Sequence, residues 1–361
     1  MRRPLVAVLA LITALVAITG IGFVSLQGSG SSVSLGKPTA AQIKVAVNGI
    51  SACAMEFESR DDTCLAKAYP ELALTVGPQA VSAAYTQLRT KWPMLNVLCH
   101  EPAHDMGASV FRAVGDIVRV IENQDITCQG GYVHGAFDAW QETGPSRAAF
   151  VEAAQACNTF TEGRGGLCFD GLAHDLWLSY PDAQTVVEVC GTGSTFDNRA
   201  NCLAGIAMQM YAPIHGEATN DLQKAVTEIP AFCLALPEWE QLPGEHLFGT
   251  SNNPRIISTC LASAPYPLAT LLTDSMRPEE LDPVLTLVGR KAVNDYVNAC
   301  DQVAIEQDPL QLRTRVNCQG LIGLYLMNRI PDKPDLVAQY CRELLTAEPA
   351  TVCLTQVRLR R

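Results

Sequence analysis

Apolar residues recur at spacings of three and four along most of the chain, the pattern of helices that bury one face. Proline-led segments show it most clearly, because proline is favoured at the first position of a helix. Four such segments run from Pro145 to Cys157, from Pro181 to Cys190, from Pro283 to Cys300 and from Pro334 to Cys341. Alternating runs, which would indicate strands, are scarce. The pattern therefore predicts an all-α protein.

Cysteines punctuate the predicted helices in a regular order. One helix ends near a cysteine, a polar loop follows, and the next helix begins near another cysteine. All 14 cysteines fit this order, and the absence of C-x-x-C argues against a zinc ribbon or a thioredoxin-type site. If neighbours pair, each bridge joins the end of one helix to the start of the next. The expected pairs are Cys53 with Cys64, Cys99 with Cys128, Cys157 with Cys168, Cys190 with Cys202, Cys233 with Cys260, Cys300 with Cys318, and Cys341 with Cys353.

A motif, C-x-x-G-x-x-H/M, begins at three of these cysteines and places a glycine one turn further on. The glycines are Gly131, Gly171 and Gly205. A glycine inside a helix costs about 1 kcal/mol relative to alanine, so its recurrence indicates a place where two helices cross closely. We therefore predict an array of disulfide-stapled helical hairpins. Its period is similar to that of helical repeat proteins, although the tetratricopeptide signature is absent.

The N-terminal segment is the most apolar part of the chain. Residues 5–26 carry no charge, two arginines precede them, and a Gly/Ser stretch follows. A run of this length can cross a bilayer as one helix, and the leading arginines favour a cytoplasmic N-terminus. We expect a transmembrane signal anchor at 1–27, a linker at 28–40, and an extracytoplasmic helical repeat domain at 41–361 whose His-rich part spans about 99–217. A cleaved signal peptide, which would release a secreted protein, is the alternative.

Composition supports an exported, folded protein. The 361 residues are 48% hydrophobic, which is enough to build a well-buried core. Exported chains keep disulfides, so an even cysteine count fits a location outside the cytoplasm. The net charge of −11 disfavours a nucleic-acid surface. The expected partners are the membrane, through the N-terminal helix, and another protein of the cell envelope.

Histidines in the early motifs are the clearest candidates for chemistry. Three of them lie five or six residues after a cysteine that opens a helix, and a bridge between Cys99 and Cys128 would draw the first two together. Neutral imidazole is the commonest ligand for transition metals, so a site for zinc, copper or iron is expected. The candidate ligands are His100, His104, His134 and His174.

Acidic residues accompany these histidines. Asp105 follows the second, Asp175 follows the fourth, and Asp138 lies one turn after the third. Such carboxylates can orient the imidazoles of a metal site. A structural role is the alternative, in which each histidine hydrogen-bonds a loop carbonyl of its own hairpin.

One histidine pair also belongs to an H-E-x-x-H sequence, His100-Glu101-Pro102-Ala103-His104, which resembles the signature of zinc metallopeptidases. The resemblance implies two zinc-binding histidines and a catalytic glutamate, Glu101, that polarises water. Pro102 departs from that pattern. Because proline is tolerated only in the first turn of a helix, it places His100 at the helix edge.

Three functions follow from the sequence. The first is a membrane-anchored, extracytoplasmic helical repeat protein with a His-rich transition-metal or ligand site. The second is a helical scaffold for protein–protein interaction in the cell envelope. The third is a zinc metallopeptidase that uses the HEPAH motif.

Overall fold

Helices make up all the regular structure that the computed structural model describes. It describes residues 33–53, 62–123, 127–160, 163–211, 222–237, 256–265, 268, 287–307, 310–330 and 332–359. Because no strand occurs within these ranges, the expected all-α class is confirmed. The expected anchor at 1–27 and residues 28–32 of the linker lie outside them. None of the described helices is long and apolar enough to cross a membrane.

Eighteen α-helices are described, together with a short 3-10 helix at Thr127–Gly130. In chain order they are α1 (Ala40–Ser51), α2 (Thr63–Val76), α3 (Pro78–Leu88), α4 (Leu95–Leu98), α5 (His100–Val114), α6 (Ile117–Ile121), α7 (Gly131–Gln141), α8 (Arg147–Cys157), α9 (Arg164–Ser179), α10 (Ala183–Gly191), α11 (Phe196–Tyr211), α12 (Leu222–Ala235), α13 (Ile256–Ser263), α14 (Leu287–Val303), α15 (Gln311–Gly320), α16 (Ile322–Arg329), α17 (Pro334–Leu344) and α18 (Ala347–Leu359).

Local capping sets where the proline-led helices begin. α17 begins at Pro334, as expected, but α8 and α10 begin two residues after their prolines. The reason is an N-cap: Ser146 accepts a hydrogen bond from the Ala149 amide, and Asp182 accepts one from the Thr185 amide. Serine and aspartate satisfy free amides at a helix start, so they displace proline to the preceding position. The expected helix start at Pro283 lies outside the described residues.

All seven disulfides connect neighbouring cysteines, which confirms the expected pairs. No described cysteine is free. The paired cysteines are 11 to 29 residues apart, and the longest of these spans, from Cys99 to Cys128, encloses both α5 and α6. On loop-closure entropy each bridge contributes about 3 kcal/mol to stability.

The recurrent glycines lie where helices cross, as the motif predicted. α5 packs on α7, α7 on α9, and α9 on α11. A Cβ on Gly131 would meet the carbonyl oxygen of His100, and one on Gly171 would meet the ring of His134. A Cβ on Gly205 would overlap the carbonyl oxygen of Asp170. The missing side chains therefore let the four helices that bear the motifs approach at backbone distance.

Candidate metal centre

Three consecutive motif helices supply the four histidines. His100 and His104 lie on the first two turns of α5, His134 lies on α7, and His174 lies on α9. The last three are buried, with 6%, 4% and 2% of their surfaces exposed, whereas His100 is partly exposed. The helix crossings therefore bring residues from distant parts of the sequence into one buried cluster.

The four imidazole rings lie next to one another in the protein interior. Ring centroids are 4.8 Å apart for His100 and His104, and 5.3 Å apart for His104 and His134. His100 lies 5.7 Å from His134, and His134 lies 5.4 Å from His174. Each of the four expected ligands therefore has another candidate ligand as a direct neighbour, and His134 contacts all three others.

His100 and His104 are held in matching orientations by acceptors on other segments. The Nδ1 of His100 lies 2.8 Å from the carbonyl oxygen of Cys128, so this nitrogen donates. The Nδ1 of His104 lies 3.0 Å from Oδ2 of Asp138 and donates to that carboxylate. Both rings then carry their proton on Nδ1 and present a lone pair on Nε2. An imidazole whose other nitrogen is bonded to a carboxylate or carbonyl is the usual arrangement of a metal ligand.

The two lone pairs face each other. Nε2 of His100 and Nε2 of His104 are 3.3 Å apart. Two acceptors at that distance repel unless a proton or a cation lies between them. Two nitrogens bound to one tetrahedral zinc ion at about 2.0–2.1 Å would themselves be about 3.3–3.4 Å apart. The observed spacing therefore equals that of two ligands on one ion.

Burial opposes a proton as the bridging group. Burial lowers the pKa of His104 to about 4, and the neighbouring imidazoles lower it further, against the hydrogen bond to Asp138. Burial likewise lowers the pKa of His134 to about 3 and that of His174 to about 4. These three imidazoles are therefore neutral at physiological pH, which is the form that binds metals.

A second group of ligand atoms adjoins the first. Ligand atoms of His100, His104 and His134 lie within 4.8 Å of one another, and so do those of His134, Asp170 and His174. Oδ2 of Asp170 lies 3.2 Å from Nε2 of His134 without the alignment of a hydrogen bond. His134 belongs to both groups.

Several atoms of the cluster are buried without a hydrogen-bond partner among the described residues. They are both ring nitrogens of His134, both ring nitrogens of His174, and Oδ2 of Asp175. Gln209 interacts with His174, but neither ring nitrogen of His174 meets the geometry of a hydrogen bond. A buried polar atom left unsatisfied costs about 1–3 kcal/mol. The protein alone therefore leaves this cluster incomplete.

The acidic neighbours differ from their expected roles in part. Asp138 does orient an imidazole, but that imidazole is His104 on α5 and not His134 on its own helix. Asp105 does not support His104: it is exposed, and its charged neighbours are Asp62 and Arg112. The reason is helix geometry: consecutive residues point about 100° apart, and on α5 this turn directs Asp105 to the solvent side.

Asp170 and Asp175 are the two buried carboxyls of α9. Burial raises the pKa of Asp170, and burial together with Asp138 raises that of Asp175 well above its usual range. Sequence reasoning proposed Asp175 but missed Asp170. Asp170 could have been found from the sequence, because it lies four residues before His174 and that spacing places both side chains on one helix face.

The zinc-peptidase signature lies at the N-terminal edge of a helix, as the position of Pro102 indicated. α5 begins at His100, so Pro102 falls in the first turn, where its missing amide is tolerated. Glu101 is exposed, whereas His104 behind it is buried. The glutamate therefore lies on the solvent side of this helix start.

No protein-family model matches the chain, and neither curated proteins nor solved structures give a significant match. The function is therefore inferred from the side chains of the site.

Proposed function

We propose that this chain is an exported helical protein that binds a transition-metal ion with His100, His104 and His134. The observation that carries the proposal is the pair of Nε2 lone pairs 3.3 Å apart, each fixed by an acceptor on the opposite ring nitrogen. His134 supplies the third nitrogen from the adjoining helix. Three protein ligands on zinc leave a fourth position for water or substrate, as in catalytic zinc sites.

A structural role, in which each histidine hydrogen-bonds a neighbour, accounts for two of the four histidines. His100 hydrogen-bonds the carbonyl of Cys128, and His104 hydrogen-bonds the carboxylate of Asp138. His134 and His174, in contrast, make no hydrogen bond with any described residue through either nitrogen. A structural histidine is buried in order to satisfy a neighbour, and these satisfy none. A metal ion would use the lone pairs that hydrogen bonds leave unused.

Zinc is the first metal to test, because the nitrogen spacing fits a tetrahedral ion. Copper and iron also bind imidazole and are the alternatives. The partly exposed His100 lies at the outer edge of the cluster, so the ion would reach the buried nitrogens from that side.

The test is metal content after expression under oxidising conditions. The purified chain is stripped with a chelator, titrated with zinc, desalted and measured by elemental analysis. We expect the double substitution His100→Ala and His104→Ala to remove one zinc per chain. Absence of zinc, copper and iron binding in the wild type would overturn the proposal, as would unchanged zinc in the double variant.

Glu101→Gln is the matched control, because Glu101 lies between the two ligands in sequence yet is exposed. We expect this variant to keep its zinc. It also tests the peptidase hypothesis, since a peptidase would keep the metal and lose its activity. A scaffold with structural histidines would bind its envelope partner equally well with or without them.

We also propose that residues 1–27 anchor the chain in the membrane, with the helical array outside the cytoplasm and available to another envelope protein. Seven disulfides support an oxidising compartment. Carbonate extraction should leave the full chain in the membrane fraction and release a chain that begins at residue 28. Release of the full chain would contradict the anchor.

A further inference from the structure

We infer that the cluster holds a second metal ion, bound by His134, Asp170 and His174, so that His134 is shared by two ions. This inference rests on the proposed function, because it assumes that the first position binds metal. It goes beyond that function in two ways: the chain binds two ions instead of one, and the second ion depends on Asp170 and His174.

The second position has its own set of ligand atoms. Those of His134, Asp170 and His174 lie within 4.8 Å of one another, the same limit that the first trio meets. All three residues are buried, with 4%, 9% and 2% of their surfaces exposed. Two imidazole nitrogens and one carboxylate oxygen form a ligand set that zinc accepts.

Unsatisfied atoms indicate that the first ion alone does not complete the cluster. Both nitrogens of His174 are buried without a hydrogen bond to any described residue. The ring contacts of His174 within the cluster run to His134, and neither His100 nor His104 is among them. An ion held by the first trio would therefore leave His174 unsatisfied. A second cation beside His174 would use the lone pair of this ring.

Charge balance favours a cation at this place. Asp170 and Asp175 are both buried on α9, and an ionised carboxylate in such surroundings is costly unless a positive charge compensates it. Oδ2 of Asp175 is buried without a hydrogen bond to any described residue. A divalent ion beside Asp170 would supply the missing charge.

His134 is suited to join the two positions. Both of its nitrogens lack hydrogen bonds, and Nε2 lies 3.2 Å from Oδ2 of Asp170, so Nε2 would bind the second ion and Nδ1 the first. An imidazole that binds two ions does so after loss of its remaining ring proton, which is released to solvent. Its ring also lies against α9, where a Cβ on Gly171 would meet Cδ2 at 2.6 Å. The motif glycine thus admits the shared ring to the second position.

Stoichiometry in the unmodified chain tests the inference without relying on variants. Copper(II) is titrated into the metal-free protein, bound copper is counted after desalting, and the spin signal is recorded at half and full loading. We expect two ions per chain, with the second quenching the signal of the first through the shared imidazole. One ion per chain would overturn the inference and leave the proposed function standing. No bound ion of any metal would defeat both.

Single substitutions then assign the two ions. We expect His174→Asn to retain one ion with an uncoupled spin signal, and Asp170→Asn to weaken the second ion at least tenfold. His100→Ala should lose the other ion instead. If His174→Asn leaves both ions bound, the second position is not at His174 and the inference fails. Far-UV circular dichroism and non-reducing electrophoresis confirm that each variant folds and keeps its bridges.

Discussion

Hydrogen bonds to the far side of each ring decide which histidine nitrogens are available. The carbonyl of Cys128 and the carboxylate of Asp138 hold His100 and His104 with Nε2 turned toward Nε2. Cys128 has a positive φ of 55°, which is unusual for a residue with a Cβ. A backbone held in such a conformation is typical of functional sites. The carbonyl that positions His100 therefore belongs to an unusual turn.

Loss of the Asp138 carboxylate should weaken metal binding without removing a ligand. We predict that Asp138→Asn lowers zinc affinity about 10–100-fold, because the carboxylate orients the His104 ring and raises its basicity. Competition against a chelator dye measures the change. Asp105→Asn is the matched control, since Asp105 is exposed and next to the same histidine. Equal effects of the two substitutions would contradict this role.

Protonation of the buried imidazoles should destabilise the metal-free protein on acidification. The pKa values of His104, His134 and His174 in the folded chain are about 4, 3 and 4, because burial opposes the charged ring. Unfolded histidine titrates near 6.5, so below that pH the unfolded chain binds more protons. The stability present above pH 6.5 is therefore lost as the pH falls toward 4, by about 2 kcal/mol per imidazole at pH 5.

Urea unfolding with a chelator present at pH 7 and pH 5 measures this loss. The raised pKa values of Asp170 and Asp175 act in the opposite direction, since they favour the folded state as these carboxyls take up protons. We therefore predict that between pH 7 and pH 5 the free energy of unfolding falls by about 2 kcal/mol more in the wild type than in His174→Asn, which keeps both carboxyls. An equal change in the two proteins would show that the His174 ring is not buried in its neutral form.

At the scale of the helices, close crossings bring the residues of the site together. α5 and α7 meet through glycines on both sides: a Cβ on Gly107 would overlap the carbonyl oxygen of Tyr132, and one on Gly135 would overlap that of His104. At this crossing His104 and Asp138 come within hydrogen-bond distance. A side chain added at either glycine would push the helices apart and separate His104 from Asp138.

Gly135→Ala should therefore disrupt both fold and site. We predict a loss of at least about 2 kcal/mol in the free energy of unfolding, because the added methyl meets backbone, which does not move aside as a side chain does. Zinc affinity should fall with it. Gly191→Ala is the control, since a Cβ there meets nothing within 4 Å. Thermal unfolding of the two variants compares them, and equal melting temperatures would contradict the close crossing.

The disulfide ahead of α5 should matter to the metal more than the others do. Cys99–Cys128 joins His100 to the segment whose carbonyl binds it, whereas Cys341–Cys353 lies between α17 and α18. Replacing either pair with serine should cost about 3 kcal/mol in stability. Only loss of Cys99–Cys128 should also weaken zinc binding. Equal zinc affinity in the two folded variants would show that this bridge does not position the site.

At the scale of the whole molecule, short-range sequence patterns predicted the fold and part of the site. The regular order of cysteines along the chain predicted each disulfide, and the fixed spacing from cysteine to glycine predicted where helices cross closely. The grouping of His104 with His134 followed from one assumed bridge. Contacts across a crossing were not predictable, because they depend on the rotation of two helices about their axes. Asp170 was missed and Asp138 was assigned to the wrong ring for that reason.

The most direct test of the central claim is the anomalous scattering of a zinc-loaded crystal. Data collected on either side of the zinc absorption edge should give a peak about 2.0–2.2 Å from Nε2 of His100, Nε2 of His104 and one nitrogen of His134. The geometry at this ion should be tetrahedral, with Asp138 still bonded to His104. A map without a peak at these imidazoles, with zinc only at surface carboxylates or with water among the rings, would contradict the account.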